Sequence, residues 1–327
     1  MTRKLTIKSE VFKLAQAFTI SRGSKTESEV LVVEIEEDGK IGRGECVPYG
    51  RYKESTGSVT EIVEGLRNAI EGGVGRQRLR NLLKPGAARN AVDCALWDLE
   101  AKLAGKPVWE IAGLEKPHDV VTTYTLSLDT PQKMAAAAKA NAHRPFLKLK
   151  LAGPEDLERV KAVHQAAPNA KLMVDANEGW SIDDYQALSP LLKNLGVVLI
   201  EQPMPAEDDL ALLAVKGSVP LCADESCHDL MTLRTLHGRY QCVNIKLDKA
   251  GGLTEALAMV AEAKRLEFQV MVGCMVATSL SMAPAMLLAQ QARFVDLDGP
   301  LLLAKDRDGG LRYDGSTVYP PDAALWG

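Results

Sequence analysis

The sequence predicts an α/β fold, a parallel barrel of eight strands preceded by a small α+β unit. Three observations lead there. Short apolar runs recur at a steady interval from about residue 120 onward, helix-compatible sequence lies between most of them, and residues 1–112 have a different texture. With 327 residues the chain exceeds what one small core usually handles, so two domains or a barrel with an addition are the leading arrangements.

In the first 112 residues, 5–14 and 29–37 read as strands, the second with an apolar alternation that runs into an Asp38-Gly39 turn. Two helical patterns follow, 59–70 and 88–103, and Gly105 marks the end of the second. The repeat then begins, with runs at 123–126, 146–150, 172–175, 198–201, 221–224, 243–246, 270–273 and 293–296. They stand about 22 to 27 residues apart, which is the length a strand, a helix and two short loops require. Eight such units close a parallel barrel. An open doubly wound sheet is the alternative, but no Gly-rich phosphate loop follows the first run. Little sequence is left for a helix after the eighth run. The expected form is therefore a modified TIM barrel of the (β/α)7β type over 113–304, with the turn-rich tail 305–327 returning to complete the α+β capping domain of 1–112.

Composition narrows the function classes. A net charge of −4 without long basic or acidic blocks gives no reason to expect nucleic acid or a membrane surface as partner. No apolar stretch approaches a membrane span, and Met1-Thr2-Arg3-Lys4-Leu5-Thr6 lacks the apolar run of a signal peptide. Six scattered cysteines without C-x-x-C spacing read as small buried thiols, which favours a reducing cytoplasm, and five unclustered histidines argue against zinc. Oligomeric state is left open, a homo-oligomer included.

The charges within each repeat carry the chemistry. Lys150, Asp175, Glu201, Asp224, Lys246 and Asp296 all stand at the C-terminal ends of their runs, the face where such barrels build active sites. One charge at a strand end means little, since strand ends reach solvent; six in near succession, with acids grouped and lysines apart, mean more. Runs three to five are neighbours, so Asp175, Glu201 and Asp224 converge, and three carboxylates together call for a cation. An all-oxygen donor set suits Mg²⁺, with Mn²⁺ as a substitute. Runs two and six are half a ring apart, so Lys150 and Lys246 face each other across the mouth. A carboxylate substrate on the metal would hold its α-carbon between two amines, one removing the α-proton and the other delivering one to the opposite face. Nearby positive charge, from the metal or from Lys148, favours the neutral amine that a base needs. Asp296 and Asp298 face the metal from the eighth run and, lacking a metal of their own, suit a substrate ammonium.

Several motifs together resemble the enolase superfamily, in its muconate-lactonizing-enzyme-like subgroup: Ala91-Val92-Asp93-Cys94-Ala95-Leu96-Trp97-Asp98, Lys148-Leu149-Lys150, Val174-Asp175-Ala176-Asn177, Ile200-Glu201-Gln202-Pro203, Ala223-Asp224-Glu225-Ser226 and Asn244-Ile245-Lys246. A lysine or histidine base with magnesium stabilising an ene-diolate is the established chemistry of that superfamily, not a reading of these residues. Phe294-Val295-Asp296-Leu297-Asp298-Gly299-Pro300 is similar to the dipeptide epimerases. The resemblance implies a Mg²⁺-dependent two-base epimerisation that interconverts L-Ala-D-Glu and L-Ala-L-Glu in murein peptide recycling. It also implies that Asp296 and Asp298 take the dipeptide ammonium, that Arg22 in a mobile cap loop takes the glutamate side chain, and that Thr125, Cys274 and Met275 touch substrate. Lys148 becomes a supporting cation, Asn177 and Glu225 supports behind the metal ligands. Asp248 and Lys249 read as structural. No histidine stands in the seventh run, unlike the mandelate racemase subgroup. The alternatives are a dipeptide epimerase of other specificity, a muconate cycloisomerase or an o-succinylbenzoate synthase-type lyase. A protein that merely kept the barrel should lack a ligand or a base, and none is missing.

Overall fold

In the computed structural model, which describes residues 3–153 and 155–327, the N-terminal alternation builds an antiparallel meander of β1 (Lys4–Ile20), β2 (Gly23–Glu37) and β3 (Lys40–Cys46). Met1 and Thr2 of the N-terminal hexapeptide lie outside the described residues. Asp38 and Gly39 both have positive φ, 50° and 71°, the geometry that lets a two-residue turn follow the twist of its strands. Strand β3 has no counterpart in the sequence reading because Gly42 and Gly44 weaken its strand signal. Their reason is contact: a Cβ at Gly42 would lie 2.2 Å from the Ala95 carbonyl oxygen, and one at Gly44 2.1 Å from that of Ala91. The helix Ala87–Ala104 thus lies directly on the sheet, and it ends where Gly105 turns left-handed. The single helix expected over 59–70 is two, Thr56–Gly65 and Arg67–Glu71. Gly65 is a poor helix former and the chain breaks after it, while Val59, Val63 and Ile70 keep facing the core and preserve the periodicity.

All eight predicted runs form strands of one parallel sheet: β5 (Tyr124–Leu126), β6 (Phe146–Lys150), β7 (Lys171–Asp175), β8 (Val197–Glu201), β9 (Leu221–Ala223), β10 (Cys242–Ile245), β11 (Gln269–Gly273) and β12 (Phe294–Asp296). The short strand β4 (Val120–Val121) precedes them. The sheet curls until its edges meet, where the Thr123 N–H donates to Val295 O at 2.9 Å. Inside, Met173, Leu199, Cys222, Cys242 and Met271 form one buried layer, and the next inward positions on the first three of those strands are Asp175, Glu201 and Asp224. After β12 there is only the short 3₁₀ turn Gly299–Leu302 in place of an eighth helix.

The tail does two things. Its hairpin β13 (Tyr313–Asp314) and β14 (Thr317–Val318) pairs with β4, a placement the sequence did not suggest. Its end reaches the cap, with Trp326 Nε1 donating to Cys94 O at 3.0 Å and Arg307 bridging Glu10 and Glu45. Asp248 ties barrel to cap as well, accepting from the Val47 N–H at 3.0 Å and Asn90 Nδ2 at 2.9 Å. All six cysteines are free thiols, buried except for Cys274 at the barrel mouth.

Candidate active site

Strand register turns the repeat into a row of functional groups. Lys150 pairs laterally with Asp175, and Asp175 with Glu201, so three successive strands place their last inward side chains level with one another. Asp224 follows at the end of β9. One oxygen each from Asp175, Glu201 and Asp224 lies within 4.8 Å of the others, and all three residues are buried. Lys150 Nζ sits 2.5 Å from Asp175 on one flank, and Lys246 Nζ 2.7 Å from Asp224 on the other. The sequence reading placed these lysines half a ring apart, and the strand order β5 to β12 puts them there.

Electrostatics favours charge at Asp175 and Lys246. Burial pushes the Asp175 carboxyl up, but Lys150 and Lys148 outweigh it and hold it at about 2. Burial pulls the Lys246 ammonium down, yet Asp224 and Glu201 more than reverse this and keep it well above the usual lysine range. At Lys246, in the chain alone, the carboxylates therefore win over the expected push toward a neutral amine. Glu201 is pushed up, by burial first and Asp175 second. Its Oε2 lies 2.7 Å from Lys148 Nζ but off the hydrogen-bonding line, so it has no hydrogen-bond partner among the described residues. Three converging carboxylates with a spare buried oxygen fit a hard divalent cation.

Across the mouth the two aspartates differ, which corrects the expectation of an unpartnered pair. Asp296 accepts from Lys148 Nζ at 2.7 Å and from the Thr123 hydroxyl at 2.5 Å, so its charge is matched within the chain. Asp298 accepts the Thr125 N–H at 2.6 Å and makes no ion pair with a described residue; burial and Asp296 push it up to about 7, against a smaller pull from Lys148. A cavity of about 380 Å³ lies above these groups, within the range of small-molecule sites. Thr125, Lys148, Lys150, Asn177, Asp224, Glu225, Lys246, Cys274, Met275, Asp296 and Asp298 line it from the barrel, and the β1–β2 tip with Arg22 roofs it. Arg22 lies in the two-residue turn between β1 and β2. Its Nη atoms donate to Asn177 O, Glu178, the Tyr49 hydroxyl and Glu225 at 2.6 to 3.0 Å.

Residues 2–113 match the mandelate racemase / muconate lactonizing enzyme N-terminal domain family, and 132–324 the enolase C-terminal domain-like family. The chain belongs to the enolase superfamily. It is 45% identical to the L-Ala-D/L-Glu epimerase of Escherichia coli K12 over 319 residues, 97% of this chain and 99% of that one. It is also 45% identical to an N-acetyl-D-glutamate racemase from Pseudoalteromonas over 300 residues, 91% of this chain and 95% of that one. Among solved structures it resembles an enolase family member from Agrobacterium tumefaciens with homology to dipeptide epimerases, solved with sodium and L-Ala-L-Glu. The TM-score is 0.98 at 51% identity, covering 99% of this chain and 100% of that one.

Sequence reasoning missed part of this enolase-superfamily site. Asn244 Nδ2 donates to Glu201 Oε1 at 2.8 Å; a polar residue inside the apolar run 243–246 was the available signal. Gln202, at φ 32°, accepts the N–H groups of Asp224 and Ser226 and so shapes the turn that presents Asp224. Lys249, read as structural, lies 2.6 Å from Asp224 and also donates to its carbonyl. Asn177, which the sequence reading did name, turns left-handed, φ 44°, and its N–H reaches Asp175 at 2.9 Å. Phe18, Lys25, Tyr49 and Tyr52 enter from the cap. Nothing periodic marks cap loops, and these four carried no signal.

Proposed function

We propose that this enzyme is a magnesium-dependent dipeptide epimerase that interconverts L-Ala-D-Glu and L-Ala-L-Glu by two-base 1,1-proton transfer. The observation that supports it most is the symmetry of the mouth: two lysines half a ring apart, each held by an outer member of one carboxylate triad. Mg²⁺ held by Asp175, Glu201 and Asp224 would supply a Lewis acid for the substrate's α-carboxylate, lowering the cost of the charge that gathers there. Lys150 and Lys246 reach the α-carbon from opposite sides. The one that is a neutral amine takes the proton, and the other, as ammonium, returns one to the far face. Both states invert when the reaction runs backwards.

Asp298, backed by Asp296, takes the alanyl ammonium, and Lys148 balances the carboxylates of both sides. Thr125, Cys274 and Met275 shape the walls, while Asn177 and Glu225 steady Asp175 and Arg22. In this reading the cap is residues 1–112, the catalytic barrel 113–304 and the tail 305–327, and the reaction serves murein peptide recycling in the cytoplasm. Incubating either dipeptide with Mg²⁺ in D₂O should label the glutamate α-carbon and interconvert the diastereomers; no label from any dipeptide contradicts the proposal.

A second reading, racemisation of an N-acylated glutamate, is favoured by one observation. With Asp296 matched by Lys148 and Asp298 pushed up to about 7, the far end of the cavity does not demand a cation. Asp298→Asn separates the two, because it should raise KM for the dipeptide and leave that for N-acetyl-glutamate alone.

A further inference from the structure

We propose that the cap helix Ala87–Ala104 positions Lys246, through Arg89, Asn90, Asp93 and Trp97, while Lys150 is held by the barrel alone. This rests on the proposed function in one respect, that each lysine serves one face of the α-carbon.

The helix has two working faces. Ala91 and Ala95 lie against Gly44 and Gly42 of the sheet. Arg89, Asp93 and Trp97 stand four residues apart and so share another side, with Asn90 beside them. All four are buried, and each bonds to one stretch of the barrel, residues 248–254. That stretch begins two residues after Lys246.

The bonds lead back to the lysine within one turn. The Lys246 carbonyl accepts from the N–H groups of Lys249 and Ala250 at 3.1 and 2.9 Å, so this residue opens the short helix Leu247–Ala250. The carbonyl of the same Ala250 accepts from Arg89 Nη2 at 2.6 Å, and that of Gly251 from Arg89 Nε at 3.0 Å. Asn90 Nδ2 reaches the Asp248 carboxylate at 2.9 Å. Gly251 and Gly252 follow with positive φ, 76° and 103°. A Cβ would lie 2.4 Å from Arg89 Nε at the first and 2.5 Å from Asp93 at the second. Asp93 accepts the Thr254 N–H at 2.9 Å and its hydroxyl at 2.6 Å. It thereby caps the helix Leu253–Arg265, whose N-cap residue, Gly252, offers no side chain. Trp97 Nε1 donates to the same hydroxyl at 3.0 Å.

Lys150 is supported differently. The N–H of Leu151 donates to the Asp175 carbonyl, and those of Ala152 and Gly153 to the Asp156 carboxylate, which Trp180 Nε1 holds at 2.7 Å. All of these partners belong to the barrel. A misplacement of about 1 Å can cost on the order of 10²-fold in rate. Loosening the cap helix from residues 248–254 should therefore fall on one face of the α-carbon.

Asp93→Ala separates this from a role in stability alone. The initial rate of α-proton loss in D₂O is followed for L-Ala-D-Glu and L-Ala-L-Glu separately, at saturating Mg²⁺ because Lys249 of the same stretch also holds Asp224. The diastereomer whose exchange Lys246→Ala abolishes should exchange roughly 10- to 100-fold more slowly, and the other should stay within about threefold of the wild type. Asp93→Asn, which keeps an acceptor for the Thr254 N–H, should recover most of the loss. A ratio of the two rates that stays at the wild-type value, whether both persist or both fall, overturns the assignment, as does a shift against the other diastereomer. Where Asp93→Ala does not fold, Thr254→Val, which removes only the hydroxyl and its bonds to Asp93 and Trp97, is read by the same ratio. If the wild type exchanges neither the dipeptides nor N-acetyl-glutamate, the proposed function fails and the assignment with it.

Discussion

On the barrel side of the cavity Lys148, Lys150 and Lys246 each stand 2.5 to 2.7 Å from a carboxylate, whereas on the cap side Lys25 pairs with no acid among the described residues and Arg22 pairs with two. The barrel side is a closed network whose charges hold one another in place. That suits groups that must keep their positions to about half an ångström while a proton moves. The cap side leaves Lys25 without an ion pair among the described residues and fastens Arg22 and Arg51 to carboxylates of the barrel loops. In the proposed function the chemistry belongs to the strand ends, and the hairpin that roofs the cavity can vary without disturbing them.

The largest effect that can break this comparison lies on the barrel side. Removing divalent cations with a chelator, or making Glu201→Gln, should each lower turnover by roughly 10³-fold, the several kcal/mol a Lewis acid supplies. Added Mg²⁺ should restore the chelated enzyme and not the variant, read by diastereomer interconversion. Next comes the fastening. Arg22→Met should reduce kcat/KM about 10- to 100-fold and do so alike for glutamate and glutamine dipeptides, because it frees the roof without altering its charge toward substrate. A selective loss on glutamate would instead give Arg22 a direct role toward the substrate's side chain. Asp298→Asn comes third, with KM for L-Ala-D-Glu up about tenfold, the scale of one charge-assisted contact. The smallest effect on catalysis should come from Gly44→Ala, which drives a Cβ into the Ala91 carbonyl. It should destabilise the cap by about 1–3 kcal/mol in a denaturant titration while activity at low temperature persists.

The barrel side was also the legible side, for the same physical reason. A βα repeat forces one apolar run per unit, and a charge at its end can only be at the mouth. Lys150, Asp175, Glu201, Asp224 and Lys246 could therefore be placed by counting. What counting could not supply was pairing. That Lys148 belongs to Asp296, or that Asn244 and Lys249 steady Glu201 and Asp224, depends on distances inside a ring. Lys25 lay beyond reach because an exposed-looking lysine in a polar hairpin has no pattern until its register with Phe18 is known. Arg22 was noticed for its family motif, and its partners Glu178 and Glu225 come from loops more than 150 residues away. The strand hidden by Gly42 and Gly44 is a failure of the same kind, where a glycine's local weakness is outweighed by packing, while at Gly65 that weakness prevails and the helix breaks.

The central claim is that Lys150 and Lys246 serve opposite faces of one carbon, and single-base variants in D₂O test it most directly. Lys150→Ala and Lys246→Ala should each lower interconversion by roughly 10²- to 10⁴-fold. Each should still exchange the α-proton of one diastereomer, and of a different one. Exchange of both diastereomers by either variant, or of the same one by both, would contradict the account.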